Sequence, residues 1–119
     1  MKLRILLAAL TLGFSFGCGS SSPSSPTPAP SGNTVSIVMN SAGLTTNAYS
    51  PNPITVSVGS SVTWMNNDTI THTATSETGL FDSGPIAPNG RFTRQFSTVG
   101  SFPYRCTIHP GMVGTVTVQ

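Results

Sequence analysis

From Thr34 to Gln119 no stretch repeats its apolar residues every 3.6 positions. A two-residue alternation recurs instead, broken by Gly, Pro and Asn. Val35, Ile37 and Met39 alternate with Ser36, Val38 and Asn40, and Ile54, Val56 and Val58 with Thr55 and Ser57. Gly59-Ser60 turns the chain into Val62-Thr63-Trp64, which puts Val62 and Trp64 on one face. Phe92 shares a parity with Phe96, and Phe102 with Tyr104, while Thr115-Val116-Thr117-Val118 alternates again. Seven or eight short strands in residues 34–119 predict an all-β Greek-key sandwich or barrel. Arg94 shares the inward parity of Phe92 and Phe96, so it is expected near a barrel end with its stem packed and its head in water.

Only 7% of the 119 residues are charged, against about a quarter in an ordinary soluble chain. Of the five basic residues, Lys2 and Arg4 open the chain. The remaining three, Arg91, Arg94 and Arg105, are balanced by Asp68, Glu77 and Asp82. A neutral surface of this kind cannot neutralise a run of phosphates, so nucleic-acid binding is excluded.

The first residues have the layout of an export signal. Met1-Lys2-Leu3-Arg4 is basic, Ile5 to Leu12 is almost wholly apolar, and small residues precede Cys18. The apolar run falls short of the ~20 residues a membrane-spanning helix needs. Residues 1–17 are therefore read as a signal peptide. Residues 15–20 resemble a bacterial lipobox, with Cys18 as the lipidated cysteine; Ser15 and Phe16 depart from its usual pattern, and ordinary cleavage after Gly17 is the competing reading. Either reading places the mature protein outside the cytoplasm, on the periplasmic or cell-surface side of a bacterial membrane. Gly19 to Asn33 holds six Ser and four Pro and offers no apolar face to bury. Extended at ~3.1 Å per residue it reaches about 45 Å, and with Cys18 it forms a linker, residues 18–33. Residues 34–119 are the folded domain.

The chemistry is concentrated in Tyr104-Arg105-Cys106-Thr107-Ile108-His109-Pro110-Gly111-Met112, which offers a thiol, an imidazole and a thioether at three-residue intervals. The only other histidine is His72. Two His, one Cys and a weak Met form the donor set of a mononuclear type 1 copper site. Thiolate favours Cu(I), imidazole tolerates both Cu(I) and Cu(II), and a long thioether contact forces neither geometry. A strand can deliver Cys106, and a short loop containing Pro110 and Gly111 can curl His109 and Met112 over the same metal. Zinc is the main inorganic rival, and Met is a poor zinc ligand. Cys106 has only Cys18 as a disulfide partner within the chain, and Cys18 belongs to the linker.

These segments resemble the small bacterial cupredoxins, close to the plastocyanin and amicyanin group. Gly59 to Asp68 looks like the strand and loop that lead to the family's first histidine. Phe81-Asp82-Ser83-Gly84 and the Pro88-Asn89-Gly90 turn are also similar to that group. Cys106-x-x-His109-x-x-Met112 looks like the short, amicyanin-like ligand loop. The resemblance implies a cupredoxin-type fold, with His72, Cys106 and His109 as equatorial copper ligands and Met112 as the axial one. It also implies electron exit through the edge of His109, within an apolar patch to which Pro110, Gly111 and Met112 can contribute. Thr73 departs from the pattern, because the family often has Asn after the first histidine, bonded towards the cysteine loop.

Three functions are compatible with these residues: a single-electron carrier between redox protein partners, a copper-trafficking module, and a structural Ig-like domain. A multicopper oxidase or nitrite reductase needs a further centre with its own histidines, and only two His exist. No enzyme activity is expected. A monomer holding one copper is expected, with membrane contact only through a lipid on Cys18.

Overall fold

A computed structural model describes residues 32–119; the expected signal peptide, Cys18 and almost all of the expected linker lie outside the described residues. The alternating runs become eight strands: β1 (Thr34–Ile37), β2 (Tyr49–Ser50), β3 (Ile54–Val56), β4 (Ser61–Asn66), β5 (Thr75–Ser76), β6 (Arg91–Gln95), β7 (Gly100–Arg105) and β8 (Val113–Val118). One 3-10 turn, Ser41–Gly43, follows β1. The strands form two four-stranded sheets, ordered β2-β1-β4-β6 and β3-β8-β7-β5. Each sheet is mixed, with β1 parallel to β4 and β3 parallel to β8. The expected all-β sandwich is therefore present.

Alternation sets which side chains meet between the sheets. On β4 the inward residues are Val62, Trp64 and Asn66, all fully buried, while Ser61, Thr63 and Met65 are half-buried. Val35 and Ile37 of β1 and Val116 and Val118 of β8 join them. Trp64 is the centre of an aromatic cluster, with ring centroids 5.2 Å from Tyr104, 5.5 Å from Phe81 and 5.7 Å from Phe92. Burying each large apolar side chain contributes about 1.5–3 kcal/mol, so this cluster supplies much of the fold's driving force.

Two residues expected to continue the inward alternation do not. Met39 and Val58 are each about half exposed, at 54% and 51%. β1 stops at Ile37, and Asn40 adopts φ 58°, which swings the chain into the 3-10 turn before Met39 has a sheet face to use. β3 stops at Val56 ahead of the turn at Gly59, which has φ 88°. Arg94 is exposed on β6 opposite Val62 and lines a shallow cavity of about 150 Å³ with Leu80, Phe81, Phe96 and Phe102. Its stem thus borders apolar surface while its head meets water, as its parity predicts.

Strand direction determines where the chemistry collects. β1, β4 and β7 all finish at one end of the sandwich, where β8 begins. There the turn after β1, the segment between β4 and β5, and the β7–β8 loop are joined by hydrogen bonds.

Gly114 on β8 faces the Tyr104 ring so closely that any added Cβ collides with it. Tyr104 cannot retreat, because Tyr49 and Trp64 pack edge-on against it at 4.8 and 5.2 Å. Gly114→Ala is expected to cost about 1–3 kcal/mol, read as a lower urea midpoint with an unchanged slope.

Candidate metal centre

His72 lies in the segment that carries the chain from β4 across to β5. A two-way backbone bridge fixes it there, with His72 N–H donating to Ile86 at 3.2 Å and Ile86 N–H donating back at 2.7 Å. The inward Asn66 at the end of β4 braces this segment. Its amide donates to the carbonyls of Ile70 and Ile86 at 2.8 and 2.9 Å, and its oxygen accepts from Asp68 N–H at 2.9 Å.

Cys106 follows directly on β7, and its loop closes on itself before β8. Cys106 N–H donates to the Met112 carbonyl at 3.0 Å, and Met112 N–H donates to the His109 carbonyl at 2.9 Å. Cys106 and Met112 are fully buried, and His109 is half-buried. The loop thereby returns Met112 beneath the same end of the sandwich from which Cys106 departs.

His72, Cys106 and His109 converge. Their donor atoms lie within 4.8 Å of one another. Cys106 Sγ is 3.9 Å from Nδ1 of each histidine, and the two Nδ1 atoms are 3.2 Å apart. Bonds of about 2.0–2.3 Å, usual for imidazole nitrogen and thiolate sulfur on a first-row ion, reach a common point from atoms so spaced. A soft thiolate with two imidazoles suits copper or zinc, and a thioether in the same loop suits only the former of these two. The residues present fit a copper ion.

Around these donors the chain satisfies its polar groups. Thr73 N–H donates to Cys106 Sγ at 3.3 Å, which ties the His72 segment to the cysteine. The Thr73 hydroxyl accepts from Thr107 N–H at 2.9 Å and lies 3.0 and 3.2 Å from the hydroxyls of Thr75 and Thr107. The link expected of Asn at this position is thus made by a threonine hydroxyl. Tyr49 O–H donates to the Thr73 carbonyl at 2.6 Å, and burial first, then the nearby Cys106, pushes its phenol pKa up.

Asp68 and Ser41 belong to the site, although sequence reading assigned them no role there. Asp68 Oδ2 is 2.8 Å from His72 Nε2, and Ser41 Oγ is 3.1 Å from the same nitrogen. Burial pushes the Asp68 carboxyl up, but hydrogen bonds from His72, Thr69, Asn40 and Ser41 outweigh it and hold the pKa well below the usual carboxylate range. The signal available for Asp68 was its position, the only acid within a few residues of a histidine and four before it. Ser41 carried no signal. With Asp68 buried, the outward charges among the described residues are Arg91, Arg94 and Arg105 against Glu77 and Asp82.

The same architecture occurs in characterised proteins. Residues 34–119 match the family described as copper binding proteins, plastocyanin/azurin family. A plastocyanin from Scenedesmus fuscus is 30% identical over 99 residues, covering 72% of this chain and 98% of its own. Amicyanin from Paracoccus denitrificans is 30% identical over 76 residues, covering 60% and 58%. Among solved structures, a novel purple cupredoxin from Nitrosopumilus maritimus superposes with a TM-score of 0.69 at 34% identity, covering 74% of this chain and all of that one. The chain therefore belongs to the plastocyanin/azurin family of copper-binding proteins, with one copper as its cofactor.

Proposed function

We propose that this protein is a single-electron carrier working outside the cytoplasm, in which His72, Cys106 and His109 would hold copper and the Met112 thioether would serve as a weak fourth donor. The observation that carries this reading is the unequal burial of the three convergent donors: His72 and Cys106 are sealed from water, and His109 alone is partly exposed. A copper bound there supplies one-electron exchange between Cu(II) and Cu(I). The chain's part is to keep the donors still and to give one of them an edge at the surface. The bridge from His72 to Ile86, the Thr73–Thr107 link and the Cys106–Met112 closure hold the donors in place without a metal's help.

The surface near His109 suits brief contact with another redox protein. Ile108 precedes it at 49% exposure, Pro110 and Gly111 follow it exposed, and Ile70 is 43% exposed in the segment that delivers His72. No charged side chain lies between residues 106 and 112. Apolar contact without charge steering gives recognition whose rate depends little on salt.

The division into a signal peptide at 1–17, a Cys18-headed linker at 18–33 and a copper domain from 34 completes the proposal. It is supported by the basic start, the apolar run and the Ser/Pro tract. Lipid on Cys18 would anchor a monomeric carrier on the periplasmic or cell-surface side of a bacterial membrane. Both histidines serve one centre, which leaves none for a second, catalytic copper.

Titration of the apo protein with Cu(II) is expected to give an intense blue band that saturates at one equivalent and is absent in Cys106→Ser. A colourless adduct would remove Cys106 from the ligand set and the carrier reading with it. Met112→Leu is expected to keep the charge-transfer band and raise the reduction potential, as cyclic voltammetry would show. Ile108→Asp is expected to lower the electron self-exchange rate about tenfold while leaving spectrum and potential unchanged, since like charges then meet where two copies approach. A site that holds copper but does not cycle reversibly would instead mark a trafficking module.

A further inference from the structure

The Asp68 carboxylate is enclosed by donors and only 4% exposed. Its Oδ1 accepts from the backbone N–H of Thr69 at 2.7 Å and of Asn40 at 3.0 Å. Its Oδ2 accepts from Ser41 N–H at 3.2 Å and from the Ser41 hydroxyl at 3.1 Å. The remaining contact of Oδ2 is His72 Nε2 at 2.8 Å. Backbone amides can only donate, and they address both oxygens, so the group is held as an acceptor. The proton between Asp68 and His72 then sits on Nε2. Nδ1, the nitrogen that faces Cys106 Sγ and His109 Nδ1, keeps its lone pair.

We propose that Asp68 is a positioning residue of the metal centre: it fixes His72 as the Nε2–H tautomer with Nδ1 free to ligate, and it biases the centre towards the more positive oxidation state. This rests on the copper reading above. The ring of His72 cannot rotate without breaking the Asp68 contact, because Asp68 is itself pinned by two separate turns, one from each side. A fixed anion one imidazole away makes the ligand a stronger donor and favours Cu(II) over Cu(I). The cost of burying the anion is met by its five hydrogen bonds, which form before any metal arrives.

The tautomer can be read without copper. Long-range 1H–15N correlation spectra of the apo protein are expected to show His72 with Nε2 protonated and slowly exchanging and Nδ1 bare. A proton on His72 Nδ1 in the wild type would overturn the proposal, whatever the behaviour of any variant. Asp68→Asn is expected to mix the tautomers and to speed exchange of the Nε2 proton, with Asp68→Glu retaining more of the wild-type pattern. In the copper-loaded protein, Asp68→Asn is expected to weaken Cu(II) binding about tenfold relative to Cu(I), a rise of about 59 mV in potential. An unchanged tautomer and potential in a folded Asp68→Asn variant would reduce Asp68 to a staple between two loops and overturn the assignment. Should that variant fail to fold, the wild-type tautomer decides alone. Failure of the copper reading looks different, since it would leave the apo tautomer as expected and the blue band missing.

Discussion

Everything at the metal centre depends on one join, the contact of Thr73 with the start of the cysteine loop. The segment between β4 and β5 leaves one sheet and enters the other, and Thr73 sits at the crossing beside His72. Its amide reaches Cys106 Sγ and its hydroxyl takes the amide of Thr107. A histidine carried by one sheet's exit is thereby locked to a cysteine carried by the other sheet's strand. Without that join, the two halves of the donor set would be related only through the two-residue pairing of β5 with β7 and the packing of the layers, which is looser than a metal bond tolerates.

The join is stiff because its surroundings are. Asn66 braces the His72 segment from beneath, Tyr49 ties the Thr73 carbonyl to the far edge of the same sheet, and Asp68 holds the outer nitrogen of His72. Buried polar networks of this kind are costly when incomplete and rigid when satisfied. Rigidity has a specific use in an electron carrier, since atoms that stay in place need no reorganisation when charge changes. The aromatic cluster around Trp64 supports the arrangement from the other side, by holding Tyr104 two residues before Cys106.

Much of this was legible in the residues. Alternation located the strands, because a pleated chain exposes and buries in turn, and the Cys-x-x-His-x-x-Met spacing located the loop. Strand ends were less legible, since alternation does not say where pairing stops: Met39 and Val58 keep the rhythm beyond the last paired residue. Asp68 was visible as a charge but not as a buried one, because its five donors come largely from backbone whose placement only the tertiary fold decides. Ser41 looks like any turn serine until the turn after β1 is folded against it. Thr73 showed the converse case, where a departure from the expected Asn changed the residue and kept the contact.

The strand directions have one further consequence. β1 begins at Thr34 and β8 closes at Val118, both at the end of the sandwich remote from His109. Whatever joins the domain at either terminus attaches on that far side. The half-exposed histidine therefore faces away from both Thr34 and Val118. A segment added at either of those ends can lengthen or change composition and still leave the His109 face clear.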